Sequence, residues 1–531
     1  MDASMKAIPV NGATTSSGAP GRKGGQHSHG LMLASWLSWI TAALVFFCLA
    51  VVAAFALVED SAAGGLVSGA FLILTVSYFA YRWLSSQAGF VDFFSPPLRA
   101  CWLFFIPQFV VPIVLLVTNQ YTLTSVGLLL SDPMKARTMA VWFAVAGLVF
   151  LCLGYLLPVG KPITLSVLDL PSRRLRLPAA ILMVLGIVGY MGSLRTGVAG
   201  YQLVAQVSSQ GALFSGLTSV GDVGILLSFW CFLDNRRDWP LLTVAALILV
   251  GRASLSGSRG ELFNSLILLM GLYQYHHKGL SMRRLAIWAI CGALVLAFGM
   301  SFGSLFRTEK TRMVGRASSL GIADTMRISA IALQEMSKTP INDLATFTRD
   351  SIFERLDGIS SLGVIISLHA DLKSSEVAVG IDGNILKDLV ASFVPRFLWP
   401  GKPVIGNSEI IGNLYFNTSG TSPATTYMGD LYRNFGLFGI FIGMALLGVS
   451  LRLLYRWFIE GQKLQPLRCA LFLVIGMGVN YESLYSQFFP GLIQRLIMSA
   501  VVVGIVWILT QLGSTRYIAR SLPLGTNQGG K

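Results

Sequence analysis

The sequence predicts an all-α polytopic membrane protein of about twelve transmembrane helices, with one large outer loop between the ninth and tenth. Three observations carry this. The 531 residues are 54% hydrophobic and only 12% charged, against about 25% charged in an ordinary soluble domain. The apolar residues come in blocks of roughly 17–25, long enough to cross a hydrocarbon core of about 30 Å. The basic residues mostly fall between those blocks, concentrated in alternate connections, which orients the chain.

Taken in order, residues 1–30 are rich in Gly, Ser, Thr and Ala and read as a disordered cytoplasmic tail. The apolar run beginning at Leu31 is too long for the h-region of a signal peptide, so it reads as a retained first span. Residues 31–304 hold nine spans, near 32–58, 64–82, 101–118, 138–157, 178–196, 213–233, 239–252, 260–275 and 285–304. Residues 433–511 hold three more, near 433–451, 469–485 and 490–511, and a cytoplasmic tail follows at 512–531. The seventh and eleventh blocks are short, which leaves a broken or re-entrant path open for either. The segment Tyr121 to Leu130 is too short to cross and suits the interface.

With the N-terminus in the cytoplasm, the inner connections carry Lys161, Arg173, Arg174, Arg176, Arg236, Arg237, Lys278, Arg283, Arg284, Arg452, Arg456, Lys463 and Arg468. The short outer connections carry only Lys135, Arg137, Arg195, Arg252 and Arg259. Both termini are therefore expected inside. The formal net charge of +15 reads as topology signal and contact with anionic lipid, not as a nucleic-acid surface. Arg252 and Arg259, in GRASLSGSRGE, stand on the outside against the orienting rule and need another reason to be there.

Residues 305–432 form the outer loop and hold about half of the acidic residues, nearly balanced by bases. Its first part is amphipathic at helical spacing, which predicts two or more helices. Its second part, FVPRFLWPGKPVIGNSEIIGNLYFNTSGTSPATTYMGDLYRNFG, is punctuated by Pro and Gly and reads as irregular loop. A loop of this size and aromatic content suggests function.

Four outer clusters could carry chemistry. Arg252, Ser254, Ser256, Ser258, Arg259 and Glu261 combine bidentate cations with a helix start, which suits phosphate. The competing reading is two arginines snorkelling to headgroups. Arg396, Trp399 and Lys402 place an aromatic between cations, suited to a sugar phosphate or equally to an interfacial belt. Arg349, Glu354, Arg355 and Asp357 read as a solvated helix face, with Arg355 the exception because apolar residues flank it. Tyr427, Asp430 and Arg433 precede the tenth span, and Tyr481, Glu482 and Arg495 lie near the last. Arg495 stands inside an apolar block, which is costly unless it is paired or faces a cavity; Asp222 raises the same question.

No P-loop, Rossmann glycine signature, HExxH or GxSxG occurs. The six cysteines show no pairing or metal spacing, and the histidines no ligand spacing, so no cofactor, metal or disulfide framework is expected. A basic, partly aromatic outer cavity suits an anionic amphiphile bearing sugars, namely a lipid-linked pyrophosphate. Such a donor carries its own activation, so arginines would stabilise the leaving charge and a carboxylate would take the acceptor proton.

SGSRGELFNSLILL, VPRFLWPGKP and YMGDLYRNFGLFGIFIGMALLG resemble the bacterial O-antigen and exopolysaccharide repeat-unit polymerases of the Wzy type. The resemblance covers roughly residues 180–510. It implies a metal-independent GT-C-like fold in the bacterial inner membrane. The activity it implies is polymerisation of undecaprenyl-pyrophosphate-linked oligosaccharide repeat units on the outer, periplasmic face. The partners it implies are those lipid-linked glycans, the bilayer, a chain-length regulator and a repeat-unit flippase. By position, Arg259, Arg355, Arg396 and Lys402 match the family's outer cations. One departure stands: some members carry an Arg with a Gly eleven residues later in outer loops, and no loop arginine here does. The only outer histidine, His369, lacks the context that ligases of this type would give it.

The expected roles follow. Arg252 and Arg259 bind pyrophosphate, and Arg355 and Arg396 share that charge or hold the acceptor carrier. Glu261 or Glu482 is the base. Trp399, Lys402, Tyr427, Arg433 and Arg495 complete the substrate surface. An O-antigen ligase, a flippase or transporter of anionic lipid-linked sugars, and a non-catalytic scaffold are the competing readings.

Overall fold

A computed structural model describes residues 61–521 apart from 89, 119–125, 127–128, 197–208, 258–259, 316–320, 395–398, 400–407 and 419–423. The tail at 1–30, the first span and the end of the C-terminal tail lie outside the described residues, as do Arg259, Arg396 and Lys402. Among the described residues the chain is helical and has no strand. Eight helices are long and apolar enough to cross a membrane.

The first described helix, α1, is Ser61–Ala88. Then come α2 at Pro96–Leu115, α3 at Pro133–Leu156, α4 at Ser172–Arg195 and α5 at Ser209–Asp234. They are followed by α6 at Trp239–Ser256, α7 at Glu261–His277 and α8 at Met282–Val314. Local sequence explains several ends. Asp132 caps α3 by accepting the Lys135 N–H at 3.0 Å, with Pro133 in the first turn. Gly257, at φ 57°, closes α6 in a left-handed turn that an L side chain would resist. The seventh predicted block is thus a full helix. The ninth runs on to Val314, so the intervening segment starts later than its sequence boundary.

That segment holds α9 at Ile322–Lys338, α10 at Ile341–Leu356, α11 at Gly358–Ala378, α12 at Asn384–Ser392 and α13 at Ser408–Phe416. The stretch read as irregular therefore contains α13, whose Ile411, Tyr415 and Phe416 are buried. Next comes α14, Tyr427–Phe458, which starts before the predicted boundary and bends where Gly436 leaves helical geometry at φ 64°. The eleventh block breaks: α15, Pro466–Gly476, ends far short of a full crossing. An irregular stretch then leads to a single turn at Tyr485–Gln487 and α16, Phe488–Ser521.

Hydrocarbon offers little hydrophobic drive between helices, so close backbone packing has to supply the contact. Gly186 of α4 faces Gly221 of α5 so closely that a Cβ on either would strike the other. Gly154 of α3 and Gly448 of α14 likewise each meet a backbone carbonyl of the partner helix. The core runs between these pairs and through α15, which is buried along its whole length. Faces with no protein neighbour are apolar instead: Ile287, Ile290 and Leu294 on α8, and Trp507 and Ile508 on α16, are exposed. That pattern suits lipid.

Candidate functional site

The break after α15 creates the site. Gly476 ends the helix, and residues 477–484 cross the interior as irregular chain. Tyr427 donates its backbone N–H to the Tyr481 carbonyl at 3.0 Å, and Ser486 donates its own to the Asp430 carboxylate at 2.9 Å. These bonds tie the irregular chain to the start of α14. Non-helical backbone at membrane depth is tolerated where protein or a cavity meets it, and here two cavities do.

The larger cavity measures about 600 Å³. Its lining is apolar at Trp102, Phe104, Pro107, Phe263, Leu296, Met300 and Ile352 and polar at Asn264, Arg355, Tyr427, Asn480, Glu482, Gln487 and Arg495. Among the described residues its charged lining is two arginines against one carboxylate, a net positive balance. The smaller, about 480 Å³, is lined by Glu354, Asp357, Ser361, Ser408, Thr418, Asn480, Ser483 and Gln487 among others. Among the described residues its carboxylates outnumber Arg355, its one arginine, although Asp357 is also held by the buried Arg137 at 3.5 Å. Arg355, Asn480, Glu482, Ser483 and Gln487 line both. Arg355 donates to Glu482 at 2.9 Å, so this ion pair stands at the shared wall.

Arg495 is placed by its surroundings. Its Nη1 donates to the Val474 carbonyl at 3.1 Å, near the end of α15, where unpaired carbonyls attract a cation. The guanidinium occupies the space a side chain at position 478 would need; that residue is glycine. This answers the question of a charge inside an apolar block: it faces a cavity.

Other expected residues have different places. Arg252 lies within α6, where Asp222 of α5 accepts at 2.5 Å and Glu261 of α7 at 2.7 Å. Its ring neighbour is Tyr190, and it lines neither cavity. Asp222 thus has its partner, and Arg252, Asp222 and Glu261 bind three helices together. Trp399 is 40% exposed. Arg349 pairs with Asp350 at the surface. His369 contacts the Tyr415 hydroxyl at 3.3 Å and lines neither cavity; burial holds its imidazole below the ordinary histidine value.

Arg433 is wholly buried. It donates to Glu376 at 3.1 Å, the Ile381 carbonyl at 2.9 Å, Asn384 at 2.5 Å and Asp430 at 2.8 Å. This network locks α11 and α12 onto α14. Arg433→Met leaves two buried carboxylates without their cation, and breaking such a pair costs about 3–5 kcal/mol. The expected result is a clear fall in the thermal unfolding temperature in detergent. An unchanged midpoint would remove Arg433 from the framework.

Sequence reading missed Arg99, Asn264, Asn480, Ser483 and Gln487. NYESLYSQ after a shortened apolar block was the available signal: polar groups where a span should continue. No protein-family profile, curated protein or solved structure matches this chain.

Proposed function

We propose that this protein is a glycosyltransferase that polymerises lipid-linked oligosaccharide repeat units at the outer face of a bacterial inner membrane. The observation that supports it is the larger cavity, whose lining combines many apolar side chains with Arg355 and Arg495, suited to a polyprenyl tail carrying a pyrophosphate. The smaller chamber, polar and on balance acidic, suits the sugars of an acceptor and disfavours a second pyrophosphate. Both termini lie in the cytoplasm in this reading, with residues 315–426 on the far side.

In the transfer, an acceptor hydroxyl oxygen forms a bond to the anomeric carbon of the donor glycan. The bond from that carbon to the pyrophosphate oxygen breaks, and the lipid pyrophosphate leaves with the electron pair. Arg355 and Arg495 stabilise that leaving charge. Glu482, at the wall between the chambers, takes the acceptor proton. Holding donor and acceptor in adjoining chambers supplies the alignment. A chain-length regulator and a repeat-unit flippase are the partners such an enzyme would work beside.

The test is to delete the gene and measure lipid-linked glycans by mass spectrometry. Accumulation of a single repeat unit on the outer leaflet, with long polymer lost, is the expected result. Long polymer retained on the carrier would replace this reading with a ligase. A repeat unit trapped on the cytoplasmic leaflet would replace it with a flippase.

A further inference from the structure

Close to the larger cavity, but not lining it, lies a cation that the transfer scheme does not use. Arg99, near the start of α2, is 1% exposed. Among the described residues no carboxylate or carbonyl accepts from its guanidinium. Its polar neighbours are the phenols of Tyr481, Tyr275 and Tyr427, and the Tyr481 hydroxyl is the group it bonds. A buried guanidinium with no charged partner is costly, and a buried group of this kind whose donors are mostly unmatched calls for an explanation.

The surroundings supply one. Arg99 packs against the end of α15, where a Cβ at position 476 would lie 2.8 Å from its Nη1. The residue there is glycine, as it is at 478, where Arg495 lies. Glycines at the end of this helix and two residues past it thus admit two arginines side by side. Like charges brought together in a poorly solvated interior repel, and the partial negative charge of the helix end offsets only part of that. Tyr481 links Arg99 to the cavity: it neighbours the guanidinium, lines the cavity and stacks on Phe104 with ring centres 5.4 Å apart.

We propose that Arg99 and Arg495 form a two-guanidinium cradle for a diphosphate, with Arg99 reached when the Tyr481 ring turns aside. Arg99 is the deeper ligand and Arg495 the one already facing the cavity. This rests on the reading of the larger cavity as an anion site, and it adds a phosphate subsite beside the visible lining. The ligand chemistry is a diphosphate monoester or diester, and its source is a prenyl lipid or free pyrophosphate.

The experiment measures binding of farnesyl diphosphate and of inorganic pyrophosphate to the purified full chain in lipid nanodiscs, with thermal unfolding of the same samples. Arg99→Met is expected to weaken farnesyl diphosphate binding at least tenfold. It should also raise the unfolding temperature of the ligand-free protein, because an uncompensated buried charge has gone. Tyr481→Phe, which removes the competing hydroxyl and keeps the ring, should bind as tightly as wild type or tighter. Undiminished binding by Arg99→Met, or a lowered unfolding temperature with affinity unchanged, would overturn the proposal by making Arg99 structural. If Arg99→Met does not fold, Arg99→Lys serves: a point charge in place of the fork should still bind, but less tightly, and equal affinity would count against the cradle. Should the wild type bind neither probe, the anion reading of the cavity itself fails, a distinguishable result. Preference for farnesyl diphosphate over pyrophosphate identifies a lipid headgroup as the source, and equal binding identifies the free anion.

Discussion

Glu482→Gln is expected to lower glycan transfer by about 10²–10⁴-fold, the usual contribution of a positioned proton acceptor, while diphosphate binding holds or tightens. The reasoning starts from one contact. Glu482 accepts from Arg355 at 2.9 Å, and both side chains line both chambers. Glutamine preserves the shape and one accepting oxygen, so the wall between the chambers survives. It cannot take a proton, and it no longer competes as a charge for Arg355. An anion in the larger chamber then meets a freer guanidinium. Turnover and Kd measured on the same preparation separate these effects: a merely structural Glu482 would weaken both or neither. Near-wild-type turnover would remove it from the reaction.

Arg495→Gln is expected to weaken binding of a prenyl diphosphate by about 10–100-fold, since a hydrogen bond to a charged group contributes about 1.5–3 kcal/mol. The side chain lines the larger cavity and, among the described residues, donates one hydrogen bond, to the Val474 carbonyl. Its remaining donors are therefore the ones a phosphate would engage. Gly478→Ala should act in the same direction without touching the charge, because the added methyl needs the space the guanidinium occupies. Arg349→Gln, on an exposed arginine paired with Asp350, is the control and should bind as wild type does. A Kd for Arg495→Gln within twofold of wild type would place the anion elsewhere.

Much of the architecture was legible in the sequence, because apolar length and helical spacing are local properties. The long apolar runs of α3, α4, α5, α14 and α16 were each anticipated. So was the weakness of the eleventh block, which is short because α15 ends at Gly476. The amphipathic helices α9, α10 and α11 followed from periodicity alone. The stretch containing α13 did not, since its helix forms against Val364, Ile365 and Ile381 in a separate small core and not from strong local propensity.

The candidate site was legible only in part. Residue type marked Arg355, Tyr427, Glu482 and Arg495 as unusual for their surroundings, and all four line the larger cavity. Residue type could not tell them from Arg252 and Arg433, which are just as unusual but are held among carboxylates of their own. Nor could it find Arg99, whose lack of a charged partner depends on what α15 and Tyr481 bring beside it. The sequence by itself determined that this is a helical membrane protein with charges in costly places. Only the tertiary structure decided which of those charges are neutralised and which face a cavity. The cost of a buried charge depends on partners, and here the partners come from helices as far apart in the chain as those of Glu376 and Arg433.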